Sequence, residues 1–415
     1  MRSDYITSKK IRMLVGVDQL FGGQLSALRK RLRGERFAIL THAAATDRRG
    51  RQTLAVLEEL GASPELCFSP EHGLEGLAQA EEAVTSGTAD EGPRVVSLYG
   101  ETKQSLSPTD EHLEGLDTLV IDLVDVGARY YTYVWSALLA ARAAQAKGIH
   151  TLVLDRPNPL SGDPGTAEGK PQQEDHLSFV GLEPLPIRHA LTLGEVLAHF
   201  FERDGHALGP DGALSVASTR GWERYQTADA FGVPFIPPSP NMPTLQTALV
   251  YPGGCLVEGT NLSEGRGTTT PFQLVGAPFL KGRELAEALS QAGVPGCMVR
   301  PASFRPWFDK HSGEVCHGVM LHVTNPRLFR PVATYLQLIC LARQQAPETF
   351  EFLDRVYEFE KDRAAFDLLA GSPDARQAIL DGAHPEDVVA TTAPAPIDWA
   401  EIVGAAEVRL ERARA

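Results

Sequence analysis

Residues 118–159 have the sequence TLVIDLVDVGARYYTYVWSALLAARAAQAKGIHTLVLDRPNP. The apolar run 118–123 predicts a strand, residues 131–146 predict a helix, and residues 151–154 predict a second strand. Both strands are almost wholly apolar, which is typical of a parallel sheet covered by helices on both faces. This stretch therefore predicts a layered α/β domain.

The same alternation of strands and helices extends on both sides of this stretch. Further strands are predicted at residues 37–40, 65–68, 95–99 and 214–216, and further helices at residues 53–60 and 192–203. A proline-dense segment, residues 234–243, then interrupts regular structure. We therefore expect two domains, residues 1–243 and 244–415, because 415 residues exceed what one hydrophobic core usually supports.

The second domain is expected to be a smaller α/β (α+β) unit. Its predicted elements are a helix near residues 283–291, a strand over residues 319–323, and helices near residues 332–345 and 349–359. Glycine-rich loops connect the junction to these elements.

Composition excludes several classes of function. The chain has 53 Asp and Glu against 39 Lys and Arg, and its net charge of −14 repels nucleic-acid phosphates and anionic lipid headgroups, so neither is an expected partner. Five cysteines without a C-x-x-C pair argue against a disulfide framework or a zinc site. The N-terminal apolar run 11–17 is too short for the core of a signal peptide, which favours a cytoplasmic protein.

Motifs for common cofactors are also missing. No G-x-G-x-x-G follows a strand, and neither G-x-x-x-x-G-K-[ST] nor G-x-S-x-G occurs in the chain. The sequence therefore argues against a dinucleotide enzyme, a P-loop NTPase and a serine hydrolase. We expect no cofactor and no metal.

Polar segments follow three of the predicted parallel strands, at residues 69–73, 125–129 and 155–159. Ligands of open α/β sheets bind beyond the carboxyl ends of the strands, so these segments should converge on one crevice. Glu71 follows a proline and precedes a glycine, on a stiff loop that can hold a carboxyl group against a substrate. Asp122, Asp125, Arg129 and the tyrosines after it offer the mixture of charge, hydroxyls and aromatic faces that suits sugars.

Structural roles remain open for the same residues. Asp122 or Asp125 can cap the following helix or pair with Arg129, and Asp155 with Arg156 can form an ion pair that holds a turn. The histidines can be ordinary buried histidines, and they are His42, His72 and His189.

Seven segments in order resemble the exo-β-N-acetylmuramidase (NamZ-like) family of glycoside hydrolases. They are SPEHG (69–73), SLYG (97–100), D-x-x-DVGARYYTY (122–133), LDRPNP (154–159), SFVG (178–181), PPSPNMP (237–243) and EGTNLSEGRGTT (258–269). The resemblance covers the chain from about residue 34 to the C-terminal region.

This resemblance implies a Rossmann-like, mostly parallel N-terminal domain, a smaller C-terminal domain and an active cleft between them. Family members release N-acetylmuramic acid from the non-reducing end of peptidoglycan-derived chains, so the implied partner is a small carbohydrate. The family's favoured catalytic residue is the glutamate of its SPEHG motif, here Glu71. The implied substrate-binding residues are His72, Arg129, Tyr130, Tyr131, Asp155, Arg156, Asn158, Arg188, His189, Asn241, Asn261 and Arg266.

The chain also departs from the family pattern at three places. His42-Ala43-Ala44 replaces polar residues after the first strand, Val124 replaces a glutamine, and Ala190 replaces a glycine after His189. These departures favour an alternative, a hydrolase of the same fold that acts on another amino sugar or glycoconjugate. A second alternative is a sugar-binding protein without catalytic activity.

Glycoside hydrolysis generally requires a carboxylic acid that protonates the leaving oxygen and a second group that supplies or activates a nucleophile. We expect Glu71 to be the acid, with Asp125, Asp122 or Glu264 as the second carboxylate. The 2-acetamido group of the substrate is an alternative nucleophile. An arginine is expected to bind the lactyl carboxylate of the substrate, and the candidates are Arg129, Arg156, Arg188 and Arg266.

Overall fold

A seven-stranded sheet and a three-stranded sheet form the frame of the protein. The computed structural model describes residues 13–79, 82, 87–88 and 92–415, so residues 1–12 of the predicted first domain, including the start of the apolar run 11–17, lie outside it. The strands of the larger sheet are β1 (Phe37–Thr41), β2 (Leu66–Ser69), β3 (Gly87–Thr88), β4 (Arg94–Ser97), β5 (Thr118–Asp122), β6 (His150–Leu154) and β7 (Leu214–Ala217).

The larger sheet has the strand order β3-β4-β2-β1-β5-β6-β7. All neighbouring strands are parallel except β3, which pairs with β4 in the antiparallel sense. The chain leaves β1 toward β2 on one side and later returns to β5 on the other side, so the order reverses at β1. Such a switch point opens a crevice at the carboxyl ends of the strands, where ligands of this architecture bind.

Helices cover both faces of the larger sheet. They are α1 (Gly16–Gly22), α2 (Ser26–Leu32), α3 (Thr53–Glu59), α4 (Asp110–Leu113), α5 (Tyr133–Ala146) and α6 (Leu193–Arg203). Every residue of β1, β5 and β6 is buried, which explains their continuous apolar sequences. Helix α6 begins at Thr192 because the Thr192 side chain accepts a hydrogen bond from the Glu195 amide in a capping box.

The smaller sheet is antiparallel, with the order β8-β10-β9. Its elements and their helices are α7 (Leu245–Gly254), β8 (Leu274–Ala277), α8 (Gly282–Ala292), β9 (Cys297–Phe304), β10 (Cys316–Val323) and α9 (Pro331–Gln345). Helices α7 and α9 pack against each other, and α8 lies against β9 and β10. A parallel and an antiparallel sheet with their own helices thus form a two-domain α/β fold.

Five short helices complete the described chain. They are α10 (Ala365–Ala370), α11 (Asp374–Leu380), α12 (Pro385–Thr392), α13 (Trp399–Gly404) and α14 (Ala406–Ala413). Helix α14 packs on α6, and Arg414 forms a parallel bridge with Val216, so the C-terminal end lies against the larger sheet. Within the described ranges, no helix combines the length and the apolar composition needed to cross a bilayer.

The predicted α/β class and the six predicted strands of the larger sheet are confirmed, with shifts of one or two residues at their ends. The predicted helix over residues 349–359 is wrong, because this segment is irregular. Its aromatic side chains Phe350 and Phe352 pack into the core, and Glu358 and Phe359 have positive φ angles that a helix excludes. Tertiary packing has overridden the local helical pattern. Strands β3, β8 and β9, helices α1, α2, α4 and α7, and the five C-terminal helices α10 to α14 were not predicted.

Candidate active site

The loop that follows β2 carries Glu71. β2 ends at Ser69, and two left-handed residues, His72 (φ 71°) and Gly73 (φ 79°), turn the chain directly after Glu71. The imidazole Nδ1 of His72 lies 2.8 Å from the carbonyl oxygen of Ala78, which fixes the ring. A non-glycine residue in this conformation is costly and persists only where its surroundings enforce it, and such residues cluster at functional sites.

The Glu71 carboxylate is 5% exposed and accepts a hydrogen bond of 2.5 Å from the Thr132 hydroxyl. Thr132 is the residue that precedes α5, so the end of β2 and the start of α5 together position this carboxylate. Because Thr132 is itself buried, the hydrogen bond fixes one carboxylate oxygen and gives Glu71 a defined orientation.

Glu71 lines a cavity of about 40 Å³, here called the Glu71 cavity, to which both domains contribute. Thr132 belongs to the first domain, whereas Glu258, Arg266 and Tyr357 belong to the second. The remaining lining residues are His72, Tyr130, Tyr131, Val180, Ser239, Asn241, Met242, Tyr251, Phe272 and Glu358. The expected cleft between the two domains is therefore present.

Two further carboxylates line the Glu71 cavity, and neither was among the residues predicted for the site. Glu258 accepts hydrogen bonds from Arg266 at 2.6 Å and from the Tyr357 hydroxyl at 2.7 Å. Glu358 accepts a hydrogen bond from the Tyr99 hydroxyl at 3.0 Å. Glu258 opens a quoted motif segment and was available as a candidate, whereas Glu358 was hidden in the incorrectly predicted helix.

Backbone strain is concentrated around the same cavity. Among the described residues, eight non-glycine residues have positive φ, and three of them, His72, Phe272 and Glu358, line the Glu71 cavity. These three residues come from separate segments of the chain. Their convergence indicates that the fold maintains an energetically costly backbone here, as expected for a functional site.

Aromatic rings form one wall of the Glu71 cavity. The Tyr251 ring makes edge contacts with Tyr130, Tyr131 and Phe272 at centroid distances of 5.7, 6.0 and 5.0 Å. The hydroxyl of Tyr130 donates a hydrogen bond to the carbonyl oxygen of Pro252 in α7. This wall joins the two domains and offers ring surface to the apolar face of a sugar.

Arg266 is held by two buried carboxylates. Its guanidinium contacts Glu258 at 2.6 Å and Glu264 at 3.0 Å, and Lys310 contacts Glu264 at 2.8 Å. Burial alone raises the pKa of Glu264, but Lys310 and Arg266 outweigh it and hold this pKa below its usual value. Burial likewise lowers the pKa of Arg266, and Glu258 and Glu264 outweigh it, so the pKa lies well above its usual value. Glu264 therefore stabilises the positive charge of Arg266. It is not among the residues that line the Glu71 cavity.

A larger cavity of about 270 Å³ lies at the carboxyl ends of β1, β5 and β6, and we call it the switch-point cavity. Two of the positions that depart from the family pattern, Ala44 and Val124, line it, as do Asp125 and Arg156. The remaining lining residues are Met13, Val15, Asp18, Thr46, Asp47, Arg48, Arg49, Gly50, Pro157, Pro159, Ala228, Phe231, Val233, Pro234, Phe235 and Ile236. Most of its wall is apolar.

Asp125 is one of three buried carboxyl groups that line the switch-point cavity, together with Asp18 and Asp47. Its Oδ2 accepts a hydrogen bond of 2.8 Å from the Gly127 amide, and its Oδ1 has no partner among the described residues. Burial raises the pKa of Asp125 to about 7, and burial lowers the pKa of the neighbouring His189 to about 3. His189 Nε2 lies 3.7 Å from Oδ2, so a neutral imidazole faces a carboxyl group that titrates near neutral pH.

Asp122 and Arg156 form a buried ion pair. Arg156 donates to both oxygens of Asp122 at 2.5 and 3.0 Å and to the Thr46 carbonyl at 2.9 Å, and Thr53 donates to Asp122 at 2.5 Å. The expected alternative pair of Asp155 with Arg156 is wrong. Asp155 instead accepts hydrogen bonds at the start of α6, from the Thr192 hydroxyl and the Gly194 amide. Asp122 therefore already has partners for both oxygens.

Arg129 and Arg188 are buried and donate to backbone carbonyls. Arg129 binds the carbonyl oxygens of Lys170, Leu185 and Leu369, so the alternative in which it pairs with Asp122 or Asp125 is wrong. Arg188 binds those of Leu160 and Phe329. Neither arginine lines either of the two cavities. Both arginines satisfy loop carbonyls that burial would otherwise leave without donors.

The three asparagines of the motif segments hold loops. Asn158 bridges the Leu191 carbonyl and the Leu160 amide, and Asn261 bridges the Thr349 carbonyl and the Glu351 amide. Asn241 donates to the Gln79 side chain at 2.8 Å and also lines the Glu71 cavity. Asn241 is thus the asparagine of this set that the fold places at the site. In the part of the chain that the structure describes, no group of three His, Cys, Asp or Glu could hold a metal ion.

Comparison with known proteins decides the family. The models described as "Exo-beta-N-acetylmuramidase NamZ, N-terminal" and "C-terminal" match residues 37–246 and 249–405. The chain belongs to the NamZ family. It is 41% identical over 388 residues to the peptidoglycan beta-N-acetylmuramidase NamZ of Bacillus subtilis (strain 168), which spans 92% of this chain and 88% of that protein.

Two crystal structures of DUF1343 family proteins from Bacteroides fragilis NCTC 9343 share this fold. The first has a TM-score of 0.78 at 27% sequence identity and covers 97% of this chain and 98% of its own. The second has a TM-score of 0.67 at 24% identity with the same coverage, and its similarity shows the fold alone. The resemblance to the NamZ family and the two-domain α/β fold are thereby confirmed.

Proposed function

We propose that this chain is an exo-acting glycoside hydrolase that releases N-acetylmuramic acid from the non-reducing end of peptidoglycan fragments. The observation that carries the proposal is the Glu71 cavity, where Glu71, Glu258 and Glu358 meet at the junction of the two domains. The activity named for the Bacillus subtilis relative supports the choice of substrate. We place the domain boundary at residues 243 and 244, close to where the two family matches meet.

In the proposed mechanism, Glu71 donates its proton to the leaving glycosidic oxygen. The hydrogen bond from Thr132 orients the carboxyl group of Glu71 in the cavity, where the group can transfer its proton. Glu258, oriented by Arg266 and Tyr357, lies on the second-domain side of the cavity, where its carboxylate accepts a proton from the water molecule that attacks the anomeric carbon as the glycosidic bond breaks. The proton from Glu71 leaves on the departing sugar, and the water oxygen becomes the new anomeric hydroxyl. This assignment replaces the expected second carboxylate Asp125, Asp122 or Glu264 with a residue that lines the Glu71 cavity.

The substrate class can be tested with paired aryl glycosides. Arg266 is the one of the four candidate arginines that lines the Glu71 cavity, and we propose that it binds the lactyl carboxylate of N-acetylmuramic acid. A charge-assisted hydrogen bond contributes about 1.5–3 kcal/mol, so kcat/KM for a nitrophenyl β-N-acetylmuramide should exceed that for the β-N-acetylglucosaminide by roughly 10- to 100-fold. Equal kcat/KM values for the two glycosides would contradict recognition of the carboxylate.

One observation favours a second candidate, a NamZ-family hydrolase of another amino sugar. Ala44 and Val124, which depart from the polar family pattern, both line the switch-point cavity and make it more apolar. The same pair of glycosides separates the candidates, because a hydrolase of this kind would prefer the glucosaminide or cleave neither compound.

A further inference from the structure

The two cavities are lined by neighbouring residues of the same two chain segments. Residues 233–236 line the switch-point cavity, and Ser239, Asn241 and Met242 of the same segment line the Glu71 cavity. The loop after β5 also contributes to both cavities. Val124 and Asp125 line the switch-point cavity, and residues 130–132 line the Glu71 cavity. A ligand longer than one sugar can therefore contact both cavities along one edge of the sheet.

The segment that passes from one cavity to the other is fixed at its midpoint. Pro238 lies between the two groups of lining residues, and its carbonyl oxygen accepts a hydrogen bond of 2.9 Å from the buried Tyr133 hydroxyl. The Tyr133 ring packs edge-on against His42 at 5.0 Å, and His42 Nε2 accepts a hydrogen bond of 3.0 Å from the Val124 amide. Both shared segments are thus tied to one buried cluster, which fixes the spacing of the two cavities.

The chemistry of the switch-point cavity suits a neutral, partly apolar ring. Phe231, Phe235 and Val124 supply apolar wall, and the polar groups are the buried carboxyl groups of Asp18, Asp47 and Asp125. Arg156 donates to Asp122, which balances its charge, and to the Thr46 carbonyl. The exposed Arg48 and Arg49 stand at the rim, where solvent screens their charges.

The two cavities differ in volume, and this difference suggests different roles in binding the substrate. About 270 Å³ approaches the lower end of the range of small-ligand sites, whereas about 40 Å³ around Glu71 holds a few water molecules in this conformation. An exo-acting enzyme encloses the terminal sugar and must leave an open path for the rest of the chain. The larger switch-point cavity provides room for the part of the chain that follows the terminal sugar.

We infer that the switch-point cavity binds the N-acetylated amino sugar that carries the leaving oxygen, next to the terminal N-acetylmuramic acid. The methyl of its acetamido group packs on the apolar wall, and its N–H and hydroxyl groups face Asp125. This inference rests on the proposed function, since it places the leaving group of that reaction.

A cavity-filling substitution tests the inference. Val124→Phe adds a ring inside the cavity, and kcat/KM for the disaccharide MurNAc-GlcNAc should fall at least tenfold, with a much smaller fall for methyl β-N-acetylmuramide, whose leaving group is too small to fill the cavity. Phe235→Ala removes part of the cavity wall, and it should also lower kcat/KM for the disaccharide much more than for the second substrate. Val408→Phe is the matched control, because Val408 is 58% exposed on α14, and it should change neither substrate.

Equal falls for the two substrates, or an unchanged kcat/KM for the disaccharide in both variants, would overturn the inference. Binding of N-acetylglucosamine alone, followed by NMR titration, gives a readout that does not need turnover, and it should weaken in a folded Val124→Phe protein. If wild type hydrolysed neither substrate, the proposed function would fail, whereas this titration would still decide the role of the cavity.

Discussion

Glu71→Gln should lower the turnover of a β-N-acetylmuramide by roughly two to four orders of magnitude. Glutamine keeps the size of the side chain and can still accept the hydrogen bond from Thr132, so the geometry of the loop is retained. What is lost is the acidic proton that the leaving oxygen requires. The measurement is kcat under saturating substrate, with the fold of the variant checked by circular dichroism.

Glu75→Gln is the matched control for this prediction. Glu75 lies four residues further along the same loop and is exposed, so its loss should leave kcat unchanged. A folded Glu71→Gln protein with near-normal turnover would remove Glu71 from the chemistry.

Arg266→Met should lower the free energy of unfolding by about 3–5 kcal/mol. Glu258 and Glu264 are buried carboxylates that share this guanidinium, and methionine fills similar volume without a charge. Lys310 remains close to Glu264, but Glu258 keeps only the Tyr357 hydroxyl of its two hydrogen-bond donors. The measurement is urea unfolding at neutral pH.

Arg283→Met is the control for the ion-pair prediction, because Arg283 is exposed on α8 and its loss should change the unfolding free energy by less than about 0.5 kcal/mol. If Arg266→Met were as stable as this control, the buried network would not support the second-domain side of the site.

The frame of the first domain could be predicted from sequence because its strands are buried on both faces. The runs that became β1, β5 and β6 are continuous and apolar, and the polar segments after them had to lie at one edge of a parallel sheet. Glu71 was found for the same reason. Its position depends on where β2 ends, and that position is visible in a sequence.

The partners of Glu71 could not be predicted in this way. Glu258 and Glu358 reach the cavity through tertiary packing of the second domain, and Glu358 has a positive φ in a segment whose local pattern favoured a helix. Periodicity carries no information about such a conformation.

Several arginines that were expected to bind the substrate bind the protein backbone instead, and the reason for this error is different. Arg129 lies in one of the motif segments and Arg188 directly precedes His189, yet their guanidinium groups donate to buried loop carbonyls. Long buried loops need such donors, and a sequence does not distinguish an arginine that binds backbone from one that binds a ligand. Arg156 is similar, since its partner proved to be Asp122, which lies 34 residues away in the sequence.

The central claim is that the Glu71 cavity cleaves the bond after a terminal N-acetylmuramic acid. The most direct test is to incubate the protein with the tetrasaccharide MurNAc-GlcNAc-MurNAc-GlcNAc and follow its first products by mass spectrometry. The account predicts free N-acetylmuramic acid together with a trisaccharide that begins with N-acetylglucosamine. Disaccharides formed from the intact tetrasaccharide by cleavage at its centre would contradict it.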